Sequence, residues 1–482
     1  MSDTVKVFRN MLSLMSERFV VPLVNLLLVV AIARYLGAEG LGRYALIVGF
    51  VSFFDVFLDL GINTLIIREV ARDKSVMDAY ASRAVTLKLA VSPLILVSIF
   101  VFLKFFSYPP EVVRSFYIFS AAFILFAFSE TFNALYKACE RMNMVALMVF
   151  LRQSVLVAAV IIAVKSGYGI IGIAYAYLAV GAAYLGLNYI LFNMKVDRVR
   201  VGVDRRFYVD LFNSSLPFIT LGFIFLLFYR IDVVLISLVA GDAEAGFFSA
   251  TSKITSSLLL LSAAFLEAVF PIISRYGQGS PEKMREAVRK SFHMLSAVSF
   301  PVAVGLIATG GGILRMLYGG DFTRASSMFY VLAACLPLAY LSSALHYVVM
   351  ARNMQRRAFF GILLMLVAFS AAVFWAVKAG GGLGAAYATL AFTAAIFVFL
   401  GYLVFGDLDD YSACIEVARP LIASLLMGGA LYYMGGASVA VKVAAGVAVY
   451  VAAMLLLKGF NSQDLAHLRD LWGHYAGKDA SR

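Results

Sequence analysis

Charge is scarce in this chain: Asp, Glu, Lys and Arg together make up 14% of its 482 residues, against about 25% in an ordinary soluble domain. So little charge cannot cover a solvated surface, which excludes a soluble enzyme. Cysteine (3) and histidine (4) are as sparse. Cys139, Cys335 and Cys414, like His293, His346, His467 and His474, stand far apart with no CxxC, HxxxH or HExxH spacing, so neither a disulfide framework nor a metal centre is expected. No cofactor is indicated, and the absence of GxxxxGK[ST] removes ATP as an energy source within the chain. Long polar loops are missing too, which leaves no room for a catalytic ectodomain.

What is abundant is apolar surface. Hydrophobic residues make up 62% of the chain, about 300 side chains, enough for about fifteen spans of about 20 residues. Grouping apolar stretches between charged or glycine-rich breaks predicts about fourteen transmembrane helices: 11–36, 41–67, 84–107, 112–137, 144–165, 169–193, 209–240, 245–273, 288–314, 326–350, 358–378, 382–405, 413–434 and 438–458. Lipid offers no partners for unpaired backbone, and no alternating barrel pattern occurs, so the expected fold is an all-α polytopic membrane protein. The opening MSDTVKVFRN leads into an apolar stretch holding Glu17 and Arg18 without a small-residue cleavage site, so the first helix is expected to stay.

The formal net charge of +12 reads as orientation and not as a nucleic-acid interface, because the basic residues sit in short loops between apolar runs. Even-numbered loops carry twenty Lys and Arg and odd-numbered loops nine. That bias puts the even loops and both termini in the cytoplasm of a cell that holds the protein in its cytoplasmic membrane.

The chain also repeats itself. AVKSGYGIIGIAYA (163–176) matches AVKAGGGLGAAYA (376–388) after one deletion, pairing Gly172 with Gly384 and Tyr175 with Tyr387. AEGLGRYAL (38–46) resembles DAEAGFFSA (242–250), aligning Gly42 with Gly246, and Asn143-Met144 aligns with Asn353-Met354. The matches fall in order, so helices 1 to 6 (1–200) and 7 to 12 (201–406) form two pseudo-symmetric lobes, with helices 13 and 14 and a cytoplasmic tail extra (407–482). Six spans, an even number, separate corresponding helices. The repeat is therefore parallel, about an axis along the membrane normal, and a substrate path between the lobes is expected.

Polar residues inside the spans mark candidate sites, since a carboxylate facing lipid costs several kcal/mol. Ser52, Asp55, Asp59 and Asn63 are spaced 3, 4 and 4 apart on the second span, one face of a continuous helix. They either line an aqueous cavity, where a coupling cation (H+ or Na+) could bind, or form structural ion pairs. Lys253 and Glu267 on the eighth span are fourteen apart and share a face within about 40°. Asn25, Glu130 with Asn133, and Arg152 with Gln153 add further polar positions on the first, fourth and fifth spans. The deep ionisable groups balance: Arg18, Lys88, Arg152, Arg230 and Lys253 against Asp55, Asp59, Glu130, Asp232 and Glu267. Pairing among themselves accounts for many of them, and Lys88, read as near a helix end, is the first candidate for a structural role.

The run ARYLGAEGLGRYAL (33–46), followed by Gly61 and REVAR (68–72), resembles the first hairpin of polysaccharide (Wzx-type) flippases of the multidrug/oligosaccharidyl-lipid/polysaccharide superfamily. The glycine-alanine motifs at 169–176 and 381–388 are similar to that superfamily's sixth and twelfth helices. The resemblance implies a monomeric, MATE-like transporter, not an enzyme. It would move a polyprenyl-diphosphate-linked oligosaccharide from the cytoplasmic to the outer leaflet by alternating access, with that substrate and membrane lipids as its partners. It also implies basic residues on the first and eighth helices for the diphosphate, where Arg18 and Lys253 stand, with Arg152 and Arg230 as further cavity cations. Lys253 stands where an arginine is common, which weakens a bidentate grip on phosphate. A cation-coupled multidrug exporter and a lipid II flippase of the same superfamily are the neighbouring readings. A membrane-embedded glycan polymerase or glycosyltransferase is the reading from another class, and it lacks the catalytic loop it would need.

Overall fold

The computed structural model describes residues 3–106, 108–193, 205–277 and 279–459, with side chains at all of these except 3–20, 193, 205 and 213–229. Every regular element among them is helical: α1 (Asp3–Ser52), α2 (Asp55–Asp59), α3 (Ile62–Arg72), α4 (Met77–Phe105), α5 (Pro110–Ala138), α6 (Met142–Lys165), α7 (Gly169–Asn193), α8 (Arg205–Ala240), α9 (Asp242–Gly277), α10 (Pro281–Tyr318), α11 (Ser326–Ala351), α12 (Gln355–Leu408), α13 (Ser412–Ile415), α14 (Ala418–Tyr433) and α15 (Val439–Leu456). Short 3-10 turns at Lys74–Val76 and Gly320–Ala325 complete the connections. Two stretches of the sequence reading, the basic loop around 198–206 and the tail beyond 459, lie wholly or largely outside the described residues.

Eleven helical segments among the described residues are long and apolar enough to cross a membrane, where the sequence reading expected about fourteen. Two of the eleven, Val21–Arg72 and Gln355–Leu408, each run through a place where that reading put a loop. Gly37 (φ 68°, ψ −169°) breaks α1 between the expected first and second spans. Gly380 and Gly381 break α12 between the expected eleventh and twelfth. The backbone at these glycines is not helical, so each long segment is two helices joined at a tight glycine turn, and the paired spans are present on either side of it.

Within the described residues, packing divides the chain into two compact units. One is bounded as Met1–Leu260 with Leu317–Arg324 and Leu366–Ala388, the other as Leu261–Met316 with Ala325–Met365 and Thr389–Arg482. In the first unit, Ile62, Ile66 and Val70 of α3 are fully buried against Phe132, Leu135 and Tyr136 of α5. Between helices in lipid the attraction is close packing and hydrogen bonding rather than expulsion of water. The same unit holds a backbone-close crossing of α1 and α9. A side chain at Gly42 would overlap the Asp242 carbonyl, and one at Gly246 the Ala38 carbonyl. Arg43 adds an ion pair to Asp242 at 3.3 Å and one to Glu39. The two glycines aligned by the internal repeat thus seat each other's helix. In the second unit α14 and α15 pack through Ala423, Met427, Leu431, Tyr450, Ala453 and Met454, and the Tyr450 hydroxyl donates to the Ala297 carbonyl of α10 at 2.8 Å.

Candidate functional site

The expected second span is not one continuous helix. After Ser52 the chain turns through Phe53 and Phe54, runs one turn as α2, and breaks again at Leu60 (φ 43°) and Gly61 (φ 77°) before α3 begins. Left-handed backbone is free for glycine but costs Leu60 roughly 1 kcal/mol or more. Backbone this irregular at membrane depth is tolerated where it lines a cavity or is buried in protein, and here it borders a cavity of about 350 Å³. The face drawn from the 3, 4, 4 spacing is corrected accordingly, because two breaks reset the helical phase. Asp55, Asp59 and Asn63 still line the cavity, whereas Ser52 is buried with its hydroxyl turned back to the Val48 carbonyl of its own helix.

The other walls come from α1 (Asn25), α4 (Lys88), α5 (Phe123, Phe126, Ala127, Glu130), α6 (Arg152, Gln153, Leu156) and α7 (Tyr177). Several of the polar groups are held by partners distant in the chain. Gln153 donates to Asn25 Oδ1 at 2.7 Å. Arg152 faces Glu130 at 3.5 Å, with its guanidinium over the rings of Phe126 (5.3 Å) and Tyr184 (5.4 Å). Its Nε is buried without a hydrogen-bond partner. Asn133 sits behind Glu130, donating to it at 3.1 Å and exchanging hydrogen bonds with the Tyr184 hydroxyl. On the aromatic side the hydroxyls of Tyr44 and Tyr177 meet at 2.7 Å. Asp59 accepts the backbone N–H of Asn63 at 3.2 Å, a carboxylate at the start of α3 where the helix dipole favours negative charge.

Lys88 corrects a sequence expectation. Placed near a helix end by the span boundaries, it stands well inside α4, fully buried. Its ammonium donates to the Ala127 carbonyl and to Thr131 Oγ1, both at 2.6 Å, and to Asn63 Oδ1 at 3.4 Å. Its field reaches Asp59, Glu130 and Asp55. Lys88, Gln153 and Tyr177 are the polar lining residues absent from the candidate site drawn from the sequence. Lys88 and Gln153 each carried a signal, a polar group inside an apolar run, whereas Tyr177 carried none.

Six candidate residues are therefore gathered: Asn25, Asp55, Asp59, Asn63, Glu130 and Arg152. Asn133 stands one layer behind them. Arg230 and Lys253 lie outside the cavity wall but within electrostatic range of each other, and Arg230 also acts on Asp55. Glu267 belongs to the second unit, and the side chain of Arg18 lies outside the described residues. The arrangement is a water-accessible polar pocket with mixed charge and an aromatic side, suited to hold hydroxyl-rich or charged headgroups in an otherwise apolar bundle.

A family model described as "Polysaccharide biosynthesis protein" matches residues 7–277. Two curated relatives are each 24% identical. The teichuronic acid biosynthesis protein TuaB of Bacillus subtilis aligns over 41% of this chain and 42% of its own length. The probable low-salt glycan biosynthesis flippase Agl15 of Haloferax volcanii aligns over 62% and 63%. The matched stretches thus span less than two thirds of either relative. Among solved structures, the lipid II flippase MurJ in an inward closed conformation superposes with a TM-score of 0.71 at 15% identity, covering 92% of this chain and 98% of that one. That likeness shows a shared fold.

Proposed function

The chain belongs to the polysaccharide biosynthesis protein family, and we propose that it is a secondary-type flippase. In this reading it carries a polyprenyl-diphosphate-linked oligosaccharide from the cytoplasmic to the outer leaflet of the cytoplasmic membrane by alternating access. The observation that carries the reading is the polar cavity built by Asn25, Asp55, Glu130, Arg152 and Gln153 inside apolar helices. A glycan headgroup crossing hydrocarbon needs such a path, while its lipid tail can remain among the helices. Phe123 and Phe126 supply flat faces for sugar rings, and the carboxylates and amides supply acceptors and donors for hydroxyls.

The diphosphate is assigned to the neighbouring cations Lys253 and Arg230, together with Arg18 on the first helix. The lobes 1–200 and 201–406 rock about the path, 407–482 adds two helices, both termini stay in the cytoplasm, and the protein acts as a monomer. About two negative charges on the diphosphate move outward with an inside-negative potential, a gain of about 2.3 kcal/mol per charge per 100 mV. Were a proton also coupled, Asp55 is the group to carry it, because its carboxylate is exposed to the cavity.

The test is a proteoliposome assay with fluorescent polyprenyl-diphosphate oligosaccharide, in which flipping is read as label protected from an external quencher. Wild-type protein should move label, Lys253→Ala should stop it in a monodisperse protein, and Lys253→Arg should retain most of it. Unchanged flipping in Lys253→Ala combined with Arg230→Ala would remove both residues from the mechanism.

A further inference from the structure

The surroundings of Lys88 have the chemistry of a cation site. Three oxygens converge on one point beside the cavity: the Ala127 carbonyl, the Thr131 hydroxyl and the Asn63 side-chain carbonyl. Asp59 adds a carboxylate whose charge acts on the same point. Neutral hard oxygen donors of this kind, a backbone carbonyl, a hydroxyl and an amide, with a carboxylate nearby to balance the charge, are what an alkali ion takes as its surroundings. The point is occupied by the chain's own ammonium, fully buried at the end of the Lys88 side chain.

An ammonium has three donors and no acceptor, and a neutral amine has two donors and a lone pair. Three acceptors around Nζ therefore match the charged form. The helix break supplies the third: Leu60 and Gly61 interrupt the chain just before Asn63, so Asn63 can give its backbone N–H to Asp59 and its side-chain oxygen to Lys88.

We infer that Lys88 is a tethered cation filling an alkali-cation site formed by Asn63 Oδ1, Ala127 O and Thr131 Oγ1, with Asp59 as its nearby counter-charge. The bound charge can neither leave nor be exchanged. It balances Asp59 permanently and makes this cavity indifferent to sodium. Taking the side chain away exposes the site, and a free cation of similar size and charge then enters it. This inference concerns ion occupancy and stands apart from the identity of the transported substrate.

The experiment reads thermal unfolding of detergent-purified full-length protein in sodium chloride against choline chloride at equal ionic strength, since a ligand that binds only the folded state raises Tm saturably. Wild-type protein and Lys88→Arg should unfold at the same temperature in both salts. Lys88→Ala, purified in sodium chloride, should lose a few degrees on exchange into choline and regain them with sodium or with methylammonium, which restores the missing amine. Lys88→Ala combined with Asp59→Asn should show no such response. A flat sodium and methylammonium titration of Lys88→Ala would overturn the inference. So would a sodium-dependent Tm in the wild type that Asp59→Asn removes, a measurement needing no Lys88 variant. Neither readout uses flipping, so a failed transport assay and a failed cation assay are separate results.

Discussion

Gly246→Ala tests the crossing of α1 and α9. A methyl at Gly246 meets the backbone carbonyl of Ala38 and, reciprocally, one at Gly42 meets that of Asp242. Neither obstacle is a flexible side chain, so the two helices themselves must separate. Overpacking against backbone sits at the upper end of the usual range, about 3 kcal/mol. Separation also stretches the part-exposed Arg43–Asp242 pair at 3.3 Å, worth about 0.5 kcal/mol. At about 1 °C per kcal/mol for a chain of this size, Gly246→Ala and Gly42→Ala should each lower Tm by about 3 °C. One separation relieves both overlaps, so the double variant should cost clearly less than the sum. The internal control is Gly429 in α14, where a methyl meets nothing within 4 Å. Gly429→Ala should be neutral or stabilising by up to about 1 kcal/mol. Differential scanning fluorimetry in detergent measures all four. Equal Tm values for Gly246→Ala and Gly429→Ala would show that the crossing is not where the structure has it.

Arg152→Met removes the ion pair of Glu130 and leaves it the hydrogen bond from Asn133; flipping should fall at least tenfold with Tm nearly kept, and Glu130→Gln in the same chain should recover part of the loss if the pair matters as a pair. In cysteine-free protein, an impermeant maleimide applied to intact cells should label Ser166→Cys and spare Ser75→Cys, both exposed positions; the opposite pattern would invert the proposed orientation. Asp410, in the loop after α12, accepts the Ser412 N–H at 2.8 Å and its hydroxyl at 3.0 Å, which hold its carboxyl below the usual range. Its stabilising effect is therefore full above about pH 4 and lost as pH falls through the depressed value. The Tm gap between wild type and Asp410→Ala should close there, and a gap that widens on acidification would contradict that sign.

Long apolar runs leave few alternatives to spanning helices, so the all-helical fold is legible residue by residue. The acid positions are legible for a similar reason: a carboxylate in hydrocarbon is costly, so Asp55, Asp59 and Glu130 had to find an interior. Where the helix breaks is less legible. Leu60 carries no turn signal, and nothing in Phe53-Phe54 announces a bend, because those breaks are held by tertiary contacts and by Asp59 capping the next helix. The partners of the polar groups were hidden as well. Asn25 and Gln153 are 128 residues apart in sequence and Tyr44 and Tyr177 are 133 apart, and no local pattern links residues at such distances.

What the sequence by itself determined is the solvent of each segment: composition decides what must lie in lipid, charge scarcity decides which few groups must be sheltered, and repeated glycine motifs decide where helices can bend or touch. Only the tertiary structure decided who shelters whom. It brought Gly42 and Gly246, known from the repeat as equivalents, into reciprocal contact. It also moved Lys88 from an expected helix end to the centre of an oxygen cage. Burial preferences are properties of single side chains and survive in the order of letters. Pairings depend on the meeting of distant helices, which exists only once the chain has packed.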